Sequence, residues 1–369
     1  MNSNQDKITE TPYSNTVSNS TSNRTYSPLS IDWLSVSCKR ISEPKQPYKF
    51  EQQKYGTKIF KKVEKISLSG MPIGWLTSIP ASSILPADSA ILKFENWLLY
   101  QYFFQSNIYN YISDFGLTFN GINRLDIAVD LNEFYNYLKP NNLISKFLKG
   151  EYKHFGRSKF KVIGSTNEKN TYDYLRFGTG ESAISVYLYN KTKELIEVAD
   201  KQHIRELWER SGLDTNNDIW RLEVSFRGDK KNITDIDTGE IHDIDLHCVM
   251  NDQELRALYF TAVKERFTFL RATADSNNSR LSRIKLFEDT LKVKHKTIYK
   301  DYKPDTSRTH KVAIKKYIDF YKEIRYTMPS ISHTTLKQIE QFANQYRLTN
   351  YLFDKTEYEI LKLEAEINN

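Results

Sequence analysis

Ile122-Asn-Arg-Leu-Asp-Ile-Ala-Val-Asp-Leu131 carries both the fold and the chemistry of this chain. Read as a strand, its side chains alternate faces with a period of two. Leu125, Ile127, Val129 and Leu131 then point into a core, while Arg124, Asp126, Ala128 and Asp130 share the opposite face. The pattern recurs at Trp220-Arg-Leu-Glu-Val-Ser-Phe-Arg227, where Arg221, Glu223, Ser225 and Arg227 oppose Trp220, Leu222, Val224 and Phe226. In Ser185-Val-Tyr-Leu-Tyr-Asn-Lys191, Tyr187, Tyr189 and Lys191 oppose Val186 and Leu188. One such strand is ordinary, because a solvated sheet face carries cross-strand ion pairs. Three of them in one sheet would gather Asp126, Asp130, Glu223, several arginines, a lysine and two tyrosines on a single face, which is the composition of a site.

Outward from these strands, Leu34, Val36 and Cys38 alternate with serines as in a half-buried strand, and Lys58–Ser69 and Tyr174–Phe177 read as further strands. A long helix is expected from Ser89, as N-cap, to Gly116. A second helix, carrying Leu195, Val198, Ala199, Leu207 and Trp208, should end near Gly212. From Asp252 onward only helical patterns appear: Leu255/Leu258/Tyr259/Ala262, Leu281/Ile284/Phe287/Leu291, Lys315–Arg325, a helix capped by Thr335 with Gln338, and a last one over Lys355–Ile367. The expected class is α+β: a largely antiparallel sheet with one polar, catalytic face and helices covering the other, followed by a basic, mostly helical C-terminal region. The expected boundaries are a disordered polar tail at 1–28, a catalytic domain at 29–232, an acidic linker or hairpin at 233–249 and the helical basic region at 250–369.

Composition limits the classes available. The 369 residues are 39% hydrophobic, with a mean hydropathy of −0.61. No run approaches the ~18–20 apolar residues of a spanning helix, so no membrane partner is expected. The Asn/Ser/Thr-rich first 28 residues lack the apolar core of a secretory signal. Two cysteines, Cys38 and Cys248, make neither a disulfide framework nor a cysteine zinc site; a cytoplasmic protein is expected. The net charge of +7 is local: Arg256 to Arg325 holds 18 basic and 8 acidic residues. A basic segment in a chain with 24 Tyr and 20 Phe suits nucleic acid, since cations neutralise phosphates and rings stack on unpaired bases.

The polar face has a chemical meaning. Asp and Glu are hard oxygen ligands for Mg²⁺ or Mn²⁺, and such an ion stabilises charge developing on a phosphodiester. A tyrosine oxygen is then a competent nucleophile, although with a pKa of ~10 it needs help from a metal, Lys191 or a base. Other readings carry less. There is no His-x-His pair, His154-Phe-Gly-Arg157 precedes tyrosines in a strand rather than a helix, and Gly178-x-Gly180 reads as a turn. Asp235-Ile-Asp-Thr-Gly239 reads as a hairpin tip.

Four motifs in order resemble the Rep-trans replication initiation factors: Arg124-x-Asp126-x-x-x-Asp130, Tyr174-Leu-Arg-Phe-Gly-Thr-Gly180, Val186-Tyr-Leu-Tyr-Asn-Lys191 with Glu194, and Trp220-Arg-Leu-Glu-Val224. Ile31-Asp-Trp-Leu-Ser-Val36 is similar to the start of filamentous-phage gene II/X replication proteins. The resemblance covers roughly residues 30–230; Gly178-Thr-Gly180-Glu-Ser182 is looser than the family's small-residue motif. It implies a rolling-circle initiator, a site-specific DNA nicking-closing endonuclease whose tyrosine stays linked to the 5′ phosphate. Tyr189 is then the first candidate nucleophile and Tyr187 the second, with Lys191 assisting. Asp126, Asp130 and Glu223 would hold Mg²⁺ or Mn²⁺, and Arg124, Arg176, Arg221 and Arg227 would contact DNA. The implied partners are origin DNA, single-stranded or as an extruded hairpin, and a host helicase; origin binding or homodimerisation would fall to the C-terminal region. Two rivals stay open: a DNA-binding protein without catalysis, and a conjugative relaxase using the same chemistry.

Overall fold

In a computed structural model, residues 26–358 are described except 82–84, 157–158, 165–170, 180–181, 228–230, 236–240, 276, 289–294, 300–306, 328 and 346–357. They divide between two compact units, one taking the described residues within 1–50, 65–76 and 91–300 and the other those within 51–64, 77–90 and 301–369. The strands are β1 (Ser30–Arg40), β2 (Lys49–Gln52), β3 (Phe60–Leu68), β4 (Met71–Pro80), β5 (Ser89–Phe94), β6 (Leu117–Leu131), β7 (Tyr152–His154), β8 (Phe160–Gly164), β9 (Tyr172–Phe177), β10 (Ile184–Asn190) and β11 (Trp220–Phe226). All but β7 form one ten-stranded sheet, in the order β2-β3-β4-β5-β1-β6-β11-β10-β9-β8. The fold is α+β on a large antiparallel sheet, as the alternation implies.

Register turns alternation along single strands into rows across the sheet. Val129, Leu222, Leu188 and Leu175 lie opposite one another on β6, β11, β10 and β9, as do Ile127, Val224, Val186 and Phe177. These side chains are at most 2% exposed, and burying such aliphatic rows is the main driving force for the sheet. Between them run polar rows: Asp130, Arg221, Tyr189 and Tyr174, then Ala128, Glu223, Tyr187 and Arg176, then Asp126, Ser225 and Ser185. The three strands expected to share one face therefore do.

The helices of this unit are α1 (Asn96–Leu99), α2 (Phe104–Asp114), α3 (Pro140–Leu148), α4 (Lys191–Glu197), α5 (Gln202–Arg210), α6 (Leu246–Met250) and α7 (Asp252–Arg266). Helix α7 packs on β10 and β11, where the buried Tyr259 hydroxyl donates to the Leu222 carbonyl at 2.9 Å. Phe147, Phe177, Phe267 and Phe269 meet edge to face at 5.0–5.9 Å. The half-buried His154 stacks on Phe177 at 3.8 Å, a packing role.

Several expected elements differ. The helix expected from Ser89 to Gly116 is β5 followed by α1 and α2, because Ala90, Leu92 and Phe94 alternate into the core with period two. The helix expected to end at Gly212 is two, α4 and α5. Past Asp252 the chain is not purely helical: β14 (Phe269–Arg271) pairs with β7. Strand β15 (His295–Tyr299) joins β12 (Lys231–Asp235) and β13 (Ile241–Asp243) in a three-stranded sheet. Leu281, Ile284 and Phe287 lie outside any helix, in a segment held by a bridge between Leu270 and Arg283. The end of the tail expected at 1–28 is ordered at Tyr26, which bridges to Leu131, and at Ser27, which exchanges hydrogen bonds with the Asp130 backbone; residues 1–25 lie outside the described residues.

The second unit contains α8 (Ser307–Ile324) and α9 (Pro329–Gln345), joined through Ile314, Ile318, Tyr321, Leu336, Ile339, Ala343 and Tyr358. Thr335 and Gln338 lie inside α9 and not at its start. The hairpin tip after Asp235, Leu291 and most of Lys355–Ile367 lie outside the described residues.

Candidate active site

At one end of the polar face, Arg221 is clamped between two carboxylates. Its Nε and Nη2 donate to Asp130 Oδ1 and Oδ2 at 2.6 and 2.7 Å, and its Nη1 pairs with Asp32. Trp208 of α5 donates to Asp130 Oδ2 at 2.7 Å, and Tyr100 donates to Asp32 Oδ1 at 2.9 Å. Arg221 and Asp130 are both 0% exposed. A buried ion pair is tolerated when further hydrogen bonds satisfy it, and this one is satisfied on every side. Burial alone would raise the Asp32 carboxyl, but Arg221, Lys191 and Lys201 hold it well below the usual carboxylate range. The geometry corrects two expectations: Arg221 is a sealed internal cation and not a DNA contact, and Asp130 is its counter-ion.

Asp32 is the member that sequence reading missed. In strict alternation with Leu34, Val36 and Cys38 it would face the core. A bulge between Ile31 and Trp33, which pair with Ile127 and Asp126, inserts the extra residue and turns Asp32 to the polar side. His203 joins the same cluster through Asn96 at 2.7 Å, and burial followed by Lys201 pushes it down to about 4.

In the middle of the face, the partly buried Tyr189 donates its hydroxyl to Glu223 Oε2 at 2.9 Å. The two residues are diagonal neighbours across β10 and β11, within reach of long side chains. Burial, then Asp126 and Asp32, push the Glu223 carboxyl up to about 8. Burial, then Glu223, hold the Tyr189 phenol well above its ordinary value. Lys191 begins α4 rather than ending the strand, because the Asn190 side chain caps the helix by accepting from the Lys193 amide at 3.0 Å. Its ammonium nevertheless lies 5.4 Å from the Tyr189 ring centroid and pairs with Glu194 at 1% exposure. Burial and then Arg221 lower its pKa.

Tyr187 lies between Arg176 and Glu223 in the adjacent row, with its ring 6.3 Å from that of Tyr174. Arg176 has a buried Nε without an acceptor, and its side chain hydrogen-bonds Tyr174. Arg124 grips Asp126 through two nitrogens and stays 28% exposed. Burial raises the Asp126 carboxyl against the pull of Arg124. Arg227 follows the end of β11, partly exposed, with its amide on the Ala183 carbonyl.

As a resident metal site, the expected three carboxylates do not fit. Asp130 engages both oxygens with Arg221 and Trp208, Asp126 engages both with Arg124, and Glu223 accepts from Tyr189. No group of three His, Cys, Asp or Glu side chains among the described residues is placed to hold an ion. No helix among the described residues is long and apolar enough to cross a membrane.

Comparison with solved structures returns the rolling circle replication initiator protein from Geobacillus stearothermophilus. It is 17% identical, with a TM-score of 0.39, over 70% of this chain and 93% of that one. No family model and no curated protein sequence matches the chain.

Proposed function

We propose that the protein is a DNA strand-nicking enzyme that acts through a tyrosine, and within that class a rolling-circle replication initiator. The observation that carries the reading is the Tyr189–Glu223 hydrogen bond on a polar face assembled from the four motif strands. A nucleophile within hydrogen-bond reach of a base, with the base held in a fixed charge field, is the arrangement covalent catalysis requires. A base whose pKa lies near the working pH is the most effective, and Glu223 is tuned in that direction. The phenol of Tyr189 is hard to ionise, so the step depends on that base.

In the proposed step Tyr189 Oη attacks the scissile phosphorus as its proton passes to Glu223. A phosphorus–tyrosine bond forms and the bond from phosphorus to the 3′ oxygen breaks. The leaving oxygen takes up a proton as the free 3′-OH. Arg176 binds the phosphate, and Lys191 offsets the charge that gathers on the phenol oxygen. Arg221, Asp130 and Asp32 hold the strands in register beneath this pair.

The test is incubation with supercoiled plasmid carrying the gene and its flanking DNA, followed by SDS and protease. Open circles bearing covalently linked protein are expected, lost in Tyr189→Phe with DNA affinity retained. Loss in Tyr187→Phe alone would move the nucleophile two positions. Tight binding with no cleavage would make the protein a DNA binder. A conjugative relaxase shares this step and differs in the DNA it selects.

A further inference from the structure

One feature beside this site belongs to none of the roles above. Trp33 follows the β1 bulge and lies opposite Asp126, on the polar side of the sheet. Two cations converge on its partly buried ring: Lys93 Nζ of β5 at 3.8 Å from the centroid and Arg124 Cζ at 4.5 Å. A cation over an indole is favourable, but two on one ring repel each other. Burial lowers the Lys93 ammonium, Glu95 opposes that, and Arg124 and Lys201 lower it further. The Glu95 carboxylate accepts from Trp75 at 2.5 Å, and Lys93 makes no ion pair among the described residues. The Trp33 Nε1–H is buried with no acceptor, a cost that persists until an acceptor arrives.

We propose that Trp33, Lys93 and Arg124 form a subsite for one nucleotide of single-stranded DNA flanking the cleaved phosphate, whose phosphate draws the Lys93 ammonium off the indole and whose base takes its place on the ring. This rests on the nickase reading and extends it. A phosphate relieves the repulsion between the cations, and a flat ring offers stacking to any base. The position suits it. The row of Trp33 runs through Asp126 and Ser225 to Ser185, and Tyr187 lies one polar row along, three strand spacings or roughly 14 Å across the sheet and two residues or about 7 Å along it. Beyond Tyr187 its own row continues through Arg176 to the exposed Lys161 on β8. A single strand crossing the sheet would thus meet cations on both sides of the tyrosines. Duplex DNA presents its bases edge-on and gives Trp33 nothing to stack on, so the recognised form is unpaired.

The probe is a fluorescein-labelled dT12 strand, read by anisotropy across a salt series. Trp33→Leu should weaken binding about tenfold, within the range for loss of one base–aromatic stack, and Trp33→Phe should restore most of it. Lys93→Ala should make the log–log salt slope shallower by about 0.7, the value for one single-strand phosphate. Circular dichroism and thermal unfolding establish that each variant is folded. Unchanged affinity in Trp33→Leu, no recovery in Trp33→Phe, or an unchanged slope in Lys93→Ala would overturn the subsite. If wild type and Trp33→Leu nick the plasmid and bind dT12 equally, the subsite falls and the nickase stands. If the wild type neither nicks nor binds dT12, both fall.

Discussion

Glu223 is asked to be two things that conflict, a buried group and a base. Its folded pKa, about 8 against an ordinary 4.5, means that its contribution to stability is complete at low pH and is lost as pH rises through about 8. The charged form that costs stability is the form that accepts the tyrosine proton. Nicking should therefore rise about tenfold per pH unit below pH 8 and level off above it. Glu223→Gln should abolish nicking yet melt higher than wild type at pH 8.5, by the roughly 2–4 °C that 1 kcal/mol is worth in a unit of this size. A flat pH–rate profile would contradict the assignment. Arg221 presents the reverse case. Its removal leaves Asp130 buried without its cation, so Arg221→Ala should destabilise the fold by about 3–5 kcal/mol in urea titrations. A variant of wild-type stability with weakened DNA binding would return Arg221 to the DNA surface. Sequence alternation placed Arg221, Asp130 and Glu223 on one face, but it holds no information about which of them is sealed by Trp208 and Tyr100 from elsewhere in the chain.

At the scale of elements, the strands that carry chemistry were legible because their period of two is strict over seven or more residues. Trp220–Phe226 and Ile184–Asn190 lie within a residue or two of where the pattern put them. Reading failed where local and tertiary signals diverge. Ser89–Phe94 is short, and its apolar residues merge into those of Trp97–Phe104, so one long helix and a strand-plus-two-helices share the same composition. Leu281, Ile284 and Phe287 keep helical spacing, yet they lie outside any helix because this stretch pairs with β14: the Ile284 amide donates to the Phe269 carbonyl and the Arg271 amide to the Ser282 carbonyl. The β1 bulge is the costliest omission, since one inserted residue moves Asp32 to the opposite face and no residue type announces it. The resemblance at Ile31–Val36 spans the stretch that holds Asp32 but assigns it no role.

For the whole molecule, the charge count says nothing of the sheet. The 18 basic residues between Arg256 and Arg325 form no single element: ten fall in α7, β14, β15 and α8, the rest lie outside these four, and they belong to both units. The cations placed to meet a phosphate in the reading proposed here, Arg176, Arg124 and Lys93, lie on the sheet itself, where net charge gives no warning. The sheet's central property is that β9, β10, β11 and β6 deliver their polar residues in register to one face. The claim that follows is a covalent one, and the most direct measurement is to trap it. The protein is incubated with a single-stranded oligonucleotide spanning the cleavage position found on its own plasmid, digested with trypsin, and analysed by mass spectrometry. The account predicts a nucleotide joined through phosphate to Tyr189, absent from Glu223→Gln. An adduct on a residue outside β10, or cleavage of the strand with no adduct at all, would contradict it.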